Sequence, residues 1–266
     1  MTTTHATSYG MCDPAGTNAA TRFAALSALF DRGTSRQLED RGVGPGWHCL
    51  EVGGGGGSVA AWLSERVGAA GRVVVTDIDT RFLETMRLPN LEVRRHDITL
   101  DPLPEGVFDL VHSRMVLIHL PERDEVLRRL AAALKPGGWL VCEEFDSLST
   151  RPDAAVSPGE VLLKTHVAMG RLSVQDRVDR RYGRLLYGRF RAMGLVSLGA
   201  EAHLSVVQCG SPASALLRAS YERRRTAMID AGYLTEQEFD QDVARLDDAD
   251  FMMPSPTMWT AWGRRP

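Results

Sequence analysis

The 266-residue sequence predicts an α/β fold built on a doubly wound, mainly parallel sheet. Two observations carry this. An apolar strand, Trp47–Val52, runs without a linker into the glycines 53–57, and a helix-patterned stretch, Ser58–Val67, opens directly from them. Strand-like and helix-like runs then alternate through residue 146 with short connections, the rhythm of parallel strands joined by crossover helices.

Each element has its own signal. Thr21–Phe30 has apolar residues at helical spacing, with Asp31-Arg32-Gly33 as its stop. Ser35–Arg41 reads as a second short helix, stopped at Gly42. After Pro45-Gly46 the pattern becomes that of a buried strand, and the helix Ser58–Val67 is broken at Gly71. Arg72–Thr76, with Val73-Val74-Val75, is the second strand; Thr80–Arg87 reads as a helix and Leu91–Arg95 as strand three. Phe108–His112, introduced by Pro104-Glu105-Gly106, is strand four. Pro121–Leu134 is a helix with Val126, Leu127, Leu130 and Leu134 on one face. Lys135-Pro136-Gly137-Gly138 is expected to stop it before strand five, Trp139–Phe145. Past residue 150 the rhythm is lost. Pro158–Gln175 and Arg180–Met193 read as helices, Leu195–Val207 as one long strand, Pro212–Ala231 and Thr235–Leu246 as helices. Thr257–Arg264 is a closing strand expected to pair with the 195–207 run.

Composition limits the function classes. The length fits one large domain, with or without a cap. A hydrophobic fraction of 44% and a charged fraction of 24% are those of a chain that needs no disulfide or metal to hold a core. The net charge of -3 provides no basic field for nucleic acid or an anionic membrane, so neither is expected as a partner. Arg223-Arg224-Arg225 reads as an exposed helix face. Cys12, Cys49, Cys142 and Cys209 have no metal-ligand spacing, and Cys49 and Cys142 sit within strands as small hydrophobes. This is a reduced pattern, which together with the absence of a signal-peptide pattern or an 18-residue apolar run leads to the expectation of a cytoplasmic protein. No metal site is expected, and the sequence gives no reading of oligomeric state. Met252, Met253 and Met258 read as core filler.

The chemistry starts at the glycines. A turn without Cβ atoms exposes backbone N–H groups and a helix N-terminus to a ligand. Asp77, at the tip of strand two, can accept both hydroxyl hydrogens of a ribose, or else cap the next helix, a task that suits Asp79 or Thr80. Ile78 is placed to pack on a purine. Asp97, after strand three, can accept from an exocyclic amine while Ile98 stacks; its plain alternative is a turn residue. The pairing of turn and acid points to an adenosine-containing cofactor, although dinucleotide-binding folds share the turn.

Five segments, Leu50–Ser58, Thr76-Asp77-Ile78-Asp79, His96-Asp97-Ile98, Phe108–Ser113 and Leu134–Gly138, resemble in order and spacing the motifs of class I S-adenosylmethionine-dependent methyltransferases. The resemblance covers about residues 45–146. It implies a Rossmann-like, seven-stranded, mainly parallel sheet with a C-terminal antiparallel hairpin and a helical substrate cap. It divides the chain into an N-terminal helical lid (1–44), a cofactor-binding half (45–149), cap helices (150–193 and 211–250) and hairpin strands (194–210 and 255–266). It implies S-adenosylmethionine as cofactor, with Glu51 near the methionine amino group and Gly53, Gly55 and Gly57 in the turn. Asp77 would sit on the ribose, Asp97 and Ile98 on the adenine, and Ser113 and Arg114 near the methionine end. The unbroken run of five glycines departs from the family pattern and leaves open which glycine touches the ligand.

Methyl transfer from a sulfonium is an in-line displacement, so positioning and exclusion of water are the protein's main tasks. Candidate proton-handling groups are Glu144 and Asp146 from the end of strand five, His119 after strand four, and Tyr9 from the N-terminal segment. The alternatives are Arg-paired acids, a packing histidine and an uninvolved tail. His166 and Tyr182 are candidate substrate residues on the cap helices, or cap core. The expected acceptor is a small aromatic or heteroaromatic metabolite, of indole or amine type and methylated at carbon or nitrogen, in bacterial specialised metabolism. O-methylation of a phenolic or polyketide acceptor is one alternative, and a nicotinamide-dependent oxidoreductase another.

Overall fold

The computed structural model describes residues 17–148 and 163–266. Four strands form the parallel body of the sheet: β1 (His48–Val52), β2 (Arg72–Asp77), β3 (Leu91–Arg95) and β4 (Phe108–Arg114), joined in parallel by β5 (Leu134–Asp146). Two more complete it, β6 (Val196–His203) and β9 (Thr257–Arg264), in the order β3-β2-β1-β4-β5-β9-β6. β9 lies antiparallel to both β5 and β6, as the 195–207 and 257–264 patterns predict. The central strands are covered on both faces, so they read as unbroken apolar runs: Val73, Val74 and Val75 are all buried, as are Leu50 and Val52. Cys49 and Cys142 are buried within β1 and β5.

The helices are α1 (Thr17–Asp40), α2 (Ser58–Val67), α3 (Arg123–Ala133), α4 (Lys164–Gln175), α5 (Tyr182–Ala192), α6 (Pro212–Asp230) and α7 (Glu236–Ala244). β7 (Val206–Gln208) and β8 (Met252–Pro254) form a separate two-stranded ribbon. A second apolar cluster joins α4, α6, α7 and this ribbon through Leu172, Leu217, Tyr221, Phe239 and Met253. α1 packs on α6 and β9 through Leu26, Phe30, Leu216 and Met258. Among the described residues no helix is long and apolar enough to cross a membrane.

Five expectations are corrected. Thr21–Phe30 and Ser35–Arg41 are one helix that runs through Gly33. An interior glycine costs about 1 kcal/mol, and burial of Ala25, Leu26, Phe30 and Leu38 along the same helix outweighs it. Residues 80–87 form only a 3-10 turn, Leu83–Thr85, because Leu83 is drawn into a cluster with Ala60 and Val75 before a helix can propagate. Lys135-Pro136-Gly137-Gly138 does not precede β5 but lies inside it, where the register against β4 shifts between Phe108 and Leu110. The 195–207 run breaks after His203, and its end pairs with β8 instead of β9. Met252 is exposed, unlike Met253 and Met258.

α5 lies directly on β5 at Gly183, where an added Cβ would stand 2.3 Å from the Glu144 carbonyl oxygen. The neighbouring atom is backbone and cannot swing aside. Gly183→Ala is therefore expected to lower unfolding stability by about 1–3 kcal/mol, read from urea denaturation; an unchanged midpoint would show that the helix can shift without cost.

Candidate active site

A cavity of about 520 Å³ opens beyond the C-terminal ends of β1, β2 and β4, where open parallel sheets carry their ligands. Its floor is the glycine turn and its far walls come from α1 and α6. Glu51, Gly53, Gly55, Asp77, Ile78, Ile98, Arg114 and His119 all line it.

The turn is organised from the tip of β2. The Thr76 carbonyl accepts from the Gly53 and Gly54 N–H groups (2.8 and 3.1 Å). The Asp77 carboxylate accepts from the Gly55 N–H through one oxygen (2.9 Å) and from the Asp79 N–H through the other (3.0 Å). Burial pushes the Asp77 carboxyl above its ordinary range, against the pull of these donors. Asp77 thus ties the turn to β2 and faces the cavity at once. Asp79 is taken up by Arg81. Gly57 has a different task from the one the resemblance implies. It is absent from the cavity wall and sits at the N-terminus of α2 with φ at +83°, and a Cβ there would lie 2.4 Å from the Met86 sulfur. Gly54 and Gly56 line the cavity in its place.

Beneath Glu51 lies a buried ionic chain. The His112 ring donates from Nδ1 to Glu51 (2.6 Å) and from Nε2 to Glu143 (3.2 Å). Glu143 also accepts from the Thr34 hydroxyl of α1 (2.5 Å) and the Thr260 hydroxyl of β9 (2.8 Å). Burial disfavours the charged ring, but Glu51 and Glu143 override it and push His112 up to about 9. Burial likewise opposes ionisation of Glu143, yet the bond from His112 brings it down to about 2. Arg114 extends the chain by donating to Thr34 (3.0 Å) and Asp31 (2.9 Å), fastening α1 to the tip of β4.

Several candidates lie elsewhere. Glu144 is fully buried, faces away from the cavity and accepts from the N–H groups of Val116, Leu117 and Ile118. Burial pushes it up to about 8 against those three donors. It anchors the turn Leu117–His119 and does not line the cavity. Asp146 is buried, caps the Leu148 N–H (3.0 Å) and pairs with Arg184. Strand alternation decides this: Glu143 points to the ionic chain, Glu144 to the other face. Asp97 is a turn residue that accepts from the Thr99 N–H and hydroxyl (2.9 and 2.6 Å); its neighbours His96 and Ile98 line the cavity. Ser113 is buried with its hydroxyl on the Cys142 sulfur (3.5 Å). His166 bonds the Tyr221 hydroxyl (3.1 Å), and Tyr182 belongs to the core under α5; neither reaches the cavity. Tyr9 lies outside the described residues.

The rest of the lining combines Phe23 and Leu26 of α1 with Met115 and Val116 after β4, plus His119, Arg22 and Arg223; Phe23 packs directly on Gly55 and Gly56, and Val116 on Gly53. Both ring nitrogens of His119 are buried and have no hydrogen-bond partner among the described residues. Burial, then Arg22 and Arg223, hold its pKa down to about 3, so the imidazole is neutral. Apart from His119, sequence reasoning missed this part of the lining. Arg22 left a faint signal as a lone cation in an otherwise apolar helix. Arg223 left none inside its basic run, which is not one exposed face: Arg224 is buried against Asp176, and Arg225 pairs with Asp240.

Comparison with known proteins agrees with this geometry. Residues 50–142 match a family model described as a methyltransferase domain. Over 122 residues the chain is 35% identical to the ubiquinone/menaquinone biosynthesis C-methyltransferase UbiE of Laribacter hongkongensis, covering 42% of this chain and 49% of that protein. The UbiE protein of Hahella chejuensis is 28% identical over 176 residues, covering 61% and 70%. The chain thus spans about half the length of the first of these relatives. Among solved structures, phosphoethanolamine N-methyltransferase 2 of Haemonchus contortus, in complex with phosphomonomethylethanolamine and S-adenosylhomocysteine, superposes with a TM-score of 0.60 at 13% identity, over 94% of this chain and 58% of that one.

Proposed function

We propose that this chain is a class I S-adenosylmethionine-dependent methyltransferase, as the methyltransferase-domain match over residues 50–142 and the UbiE relatives suggest, and that it moves the methyl group of S-adenosylmethionine to a small aromatic acceptor. The observation that carries the reading is one cavity lined both by the tips of β1 and β2 with their glycine turn and by the apolar residues Phe23, Leu26, Met115 and Val116 with His119. The sulfonium supplies an already activated methyl group. The chain's residues hold, orient and dehydrate.

In this reading Asp77 accepts from the ribose hydroxyls, Ile78 and Ile98 enclose the adenine, and the Gly53–Gly56 backbone lies along the methionine arm. Glu51, held in place by His112, faces the amino group. Arg114 secures the wall through Asp31 and Thr34. The apolar wall accepts the face of a ring. His119, without a hydrogen-bond partner among the described residues, is the proton acceptor for a ring hydroxyl or ring N–H as the ring attacks the methyl group; burial, Arg22 and Arg223 oppose its protonation, and the loss of the sulfonium charge in the same step offsets that cost. Attack from a ring carbon is the favoured route, in keeping with the C-methyltransferase names of the relatives; the proton on the methylated carbon then passes to water and His119 returns its proton to the ring heteroatom, which restores aromaticity. A cationic amine is disfavoured beside Arg22 and Arg223.

The test has two stages. Calorimetry on ligand-stripped protein should show binding of S-adenosylhomocysteine. Labelled S-adenosylmethionine with a panel of phenols, hydroquinones and indoles should then give a ring-methylated product, located by NMR. His119→Ala should cut turnover by about 10²–10⁴-fold with S-adenosylhomocysteine affinity unchanged. No heat with S-adenosylhomocysteine overturns the whole reading; full activity in the variant overturns the role of His119.

A further inference from the structure

Arg22 and Arg223 come from helices far apart in the chain, α1 and α6, yet they meet on one cavity wall beside His119. Other buried or half-buried arginines have partners: Arg114 has Asp31, Arg224 has Asp176 and Arg123 donates to two backbone carbonyls. Arg22 breaks this pattern. Its Nε is buried without a partner, and it makes no hydrogen bond or ion pair among the described residues. Its nearest charged influence is another cation, Arg223; together with burial this lowers the guanidinium to about 9, the direction expected of a buried charge that lacks an anion. Two guanidiniums lining one cavity, one of them without a partner, suit a carboxylate or phosphate, whose oxygens a guanidinium binds in bidentate fashion.

We propose that Arg22 and Arg223 form an anion subsite of the acceptor pocket, so that the methylated molecule carries a carboxylate or phosphate group on or near its ring. This rests on the methyltransferase reading above and names the acceptor's charge. The anion sits at Arg22 and Arg223, and its grip there holds the ring among the apolar lining with its acidic group toward His119. A neutral acceptor of the same shape would leave Arg22 buried and uncompensated, so the subsite selects for charge as well as for size.

The experiment uses protein saturated with S-adenosylhomocysteine and three probes, benzoate, phenyl phosphate and neutral benzamide, titrated by calorimetry and ligand-observed NMR. The expected result is saturable binding of at least one anionic probe and binding of benzamide at least tenfold weaker. Arg22→Gln and Arg223→Gln should each weaken the anionic probe about tenfold to a hundredfold, with S-adenosylhomocysteine affinity within twofold of the parent. That retained affinity also certifies that the variants fold. Equal binding of benzoate and benzamide, or no binding by any probe, overturns the proposal. So does a loss in Arg22→Gln that falls on S-adenosylhomocysteine, since Arg22 would then serve the cofactor's own carboxylate. Failure of the parent protein to bind S-adenosylhomocysteine is a separate outcome and removes the functional reading beneath it.

Discussion

Asp77→Ala is expected to weaken S-adenosylhomocysteine binding by about 10²–10³-fold. The carboxylate has two tasks at one place. It holds the Gly55 and Asp79 N–H groups, which sets the shape of the glycine turn, and it faces the cavity where a ribose would lie. A hydrogen bond to a charged group contributes about 1.5–3 kcal/mol, so losing two ribose contacts at the lower half of that range already corresponds to the factor stated. Asp77→Asn separates the tasks. Its amide oxygen can still accept from one backbone N–H, while its NH₂ opposes the other, so an intermediate loss is expected. Calorimetry of both variants against the parent protein provides the check. If Asp77→Ala binds within threefold of the parent, the carboxylate serves the turn alone and the ribose assignment fails.

The largest effect on stability is expected at His112. Its imidazolium lies between Glu51 and Glu143 with no solvent contact. His112→Ala would leave two carboxylates facing each other in the core, and breaking a buried pair from one side costs about 3–5 kcal/mol. The pH dependence identifies the cause. The ring's pKa rises from 6.5 to about 9 on folding, so its contribution is complete below about pH 6.5 and is lost as pH rises through about 9. Glu143 moves the other way, from 4.5 to about 2, so its contribution is complete above about pH 4.5 and is lost as pH falls through about 2. Both are in force together between about pH 4.5 and 6.5. Urea unfolding of parent and variant should therefore show the widest gap near pH 6 and a narrower one near pH 9.5. A gap that stays constant over that range would mean His112 carries no charge in the folded protein. Because Glu51 lines the cavity, the variant should also bind S-adenosylhomocysteine more weakly, which links the buried chain to the site above it.

The nicotinamide-dependent alternative has no support among the comparisons: residues 50–142 match a methyltransferase-domain model, and the matching relatives are named C-methyltransferases. What separated the two readings in the sequence was the approach to β5, Leu134–Gly138, and in the structure this segment is the bulged start of the strand itself. The local signals that held up are those whose cause is local. A valine triplet makes a strand buried on both faces, five glycines make a turn, and an acid two residues beyond a strand's last valine stands at its tip. Helix ends were less legible. Gly33 fails to stop α1 and residues 80–87 fail to become a helix, because packing against α6, β9 and α2 outweighs propensities of about 1 kcal/mol.

By itself the sequence determined the succession of strands β1 to β5, the glycine turn, the acid at the β2 tip, and through them the resemblance to methyltransferases. These depend on residues close together in the chain, where period and turn chemistry dictate backbone shape. The tertiary structure alone decided which carboxylates line the cavity and which are held inside the scaffold. Glu143 and Glu144 are neighbours, yet one ends on a buried histidine and the other on three backbone N–H groups. It also decided that Arg22, His119 and Arg223 share a wall. Such assignments depend on which distant element arrives opposite each side chain, and in a buried site the partner that arrives, or fails to arrive, sets the charge and the role of the group.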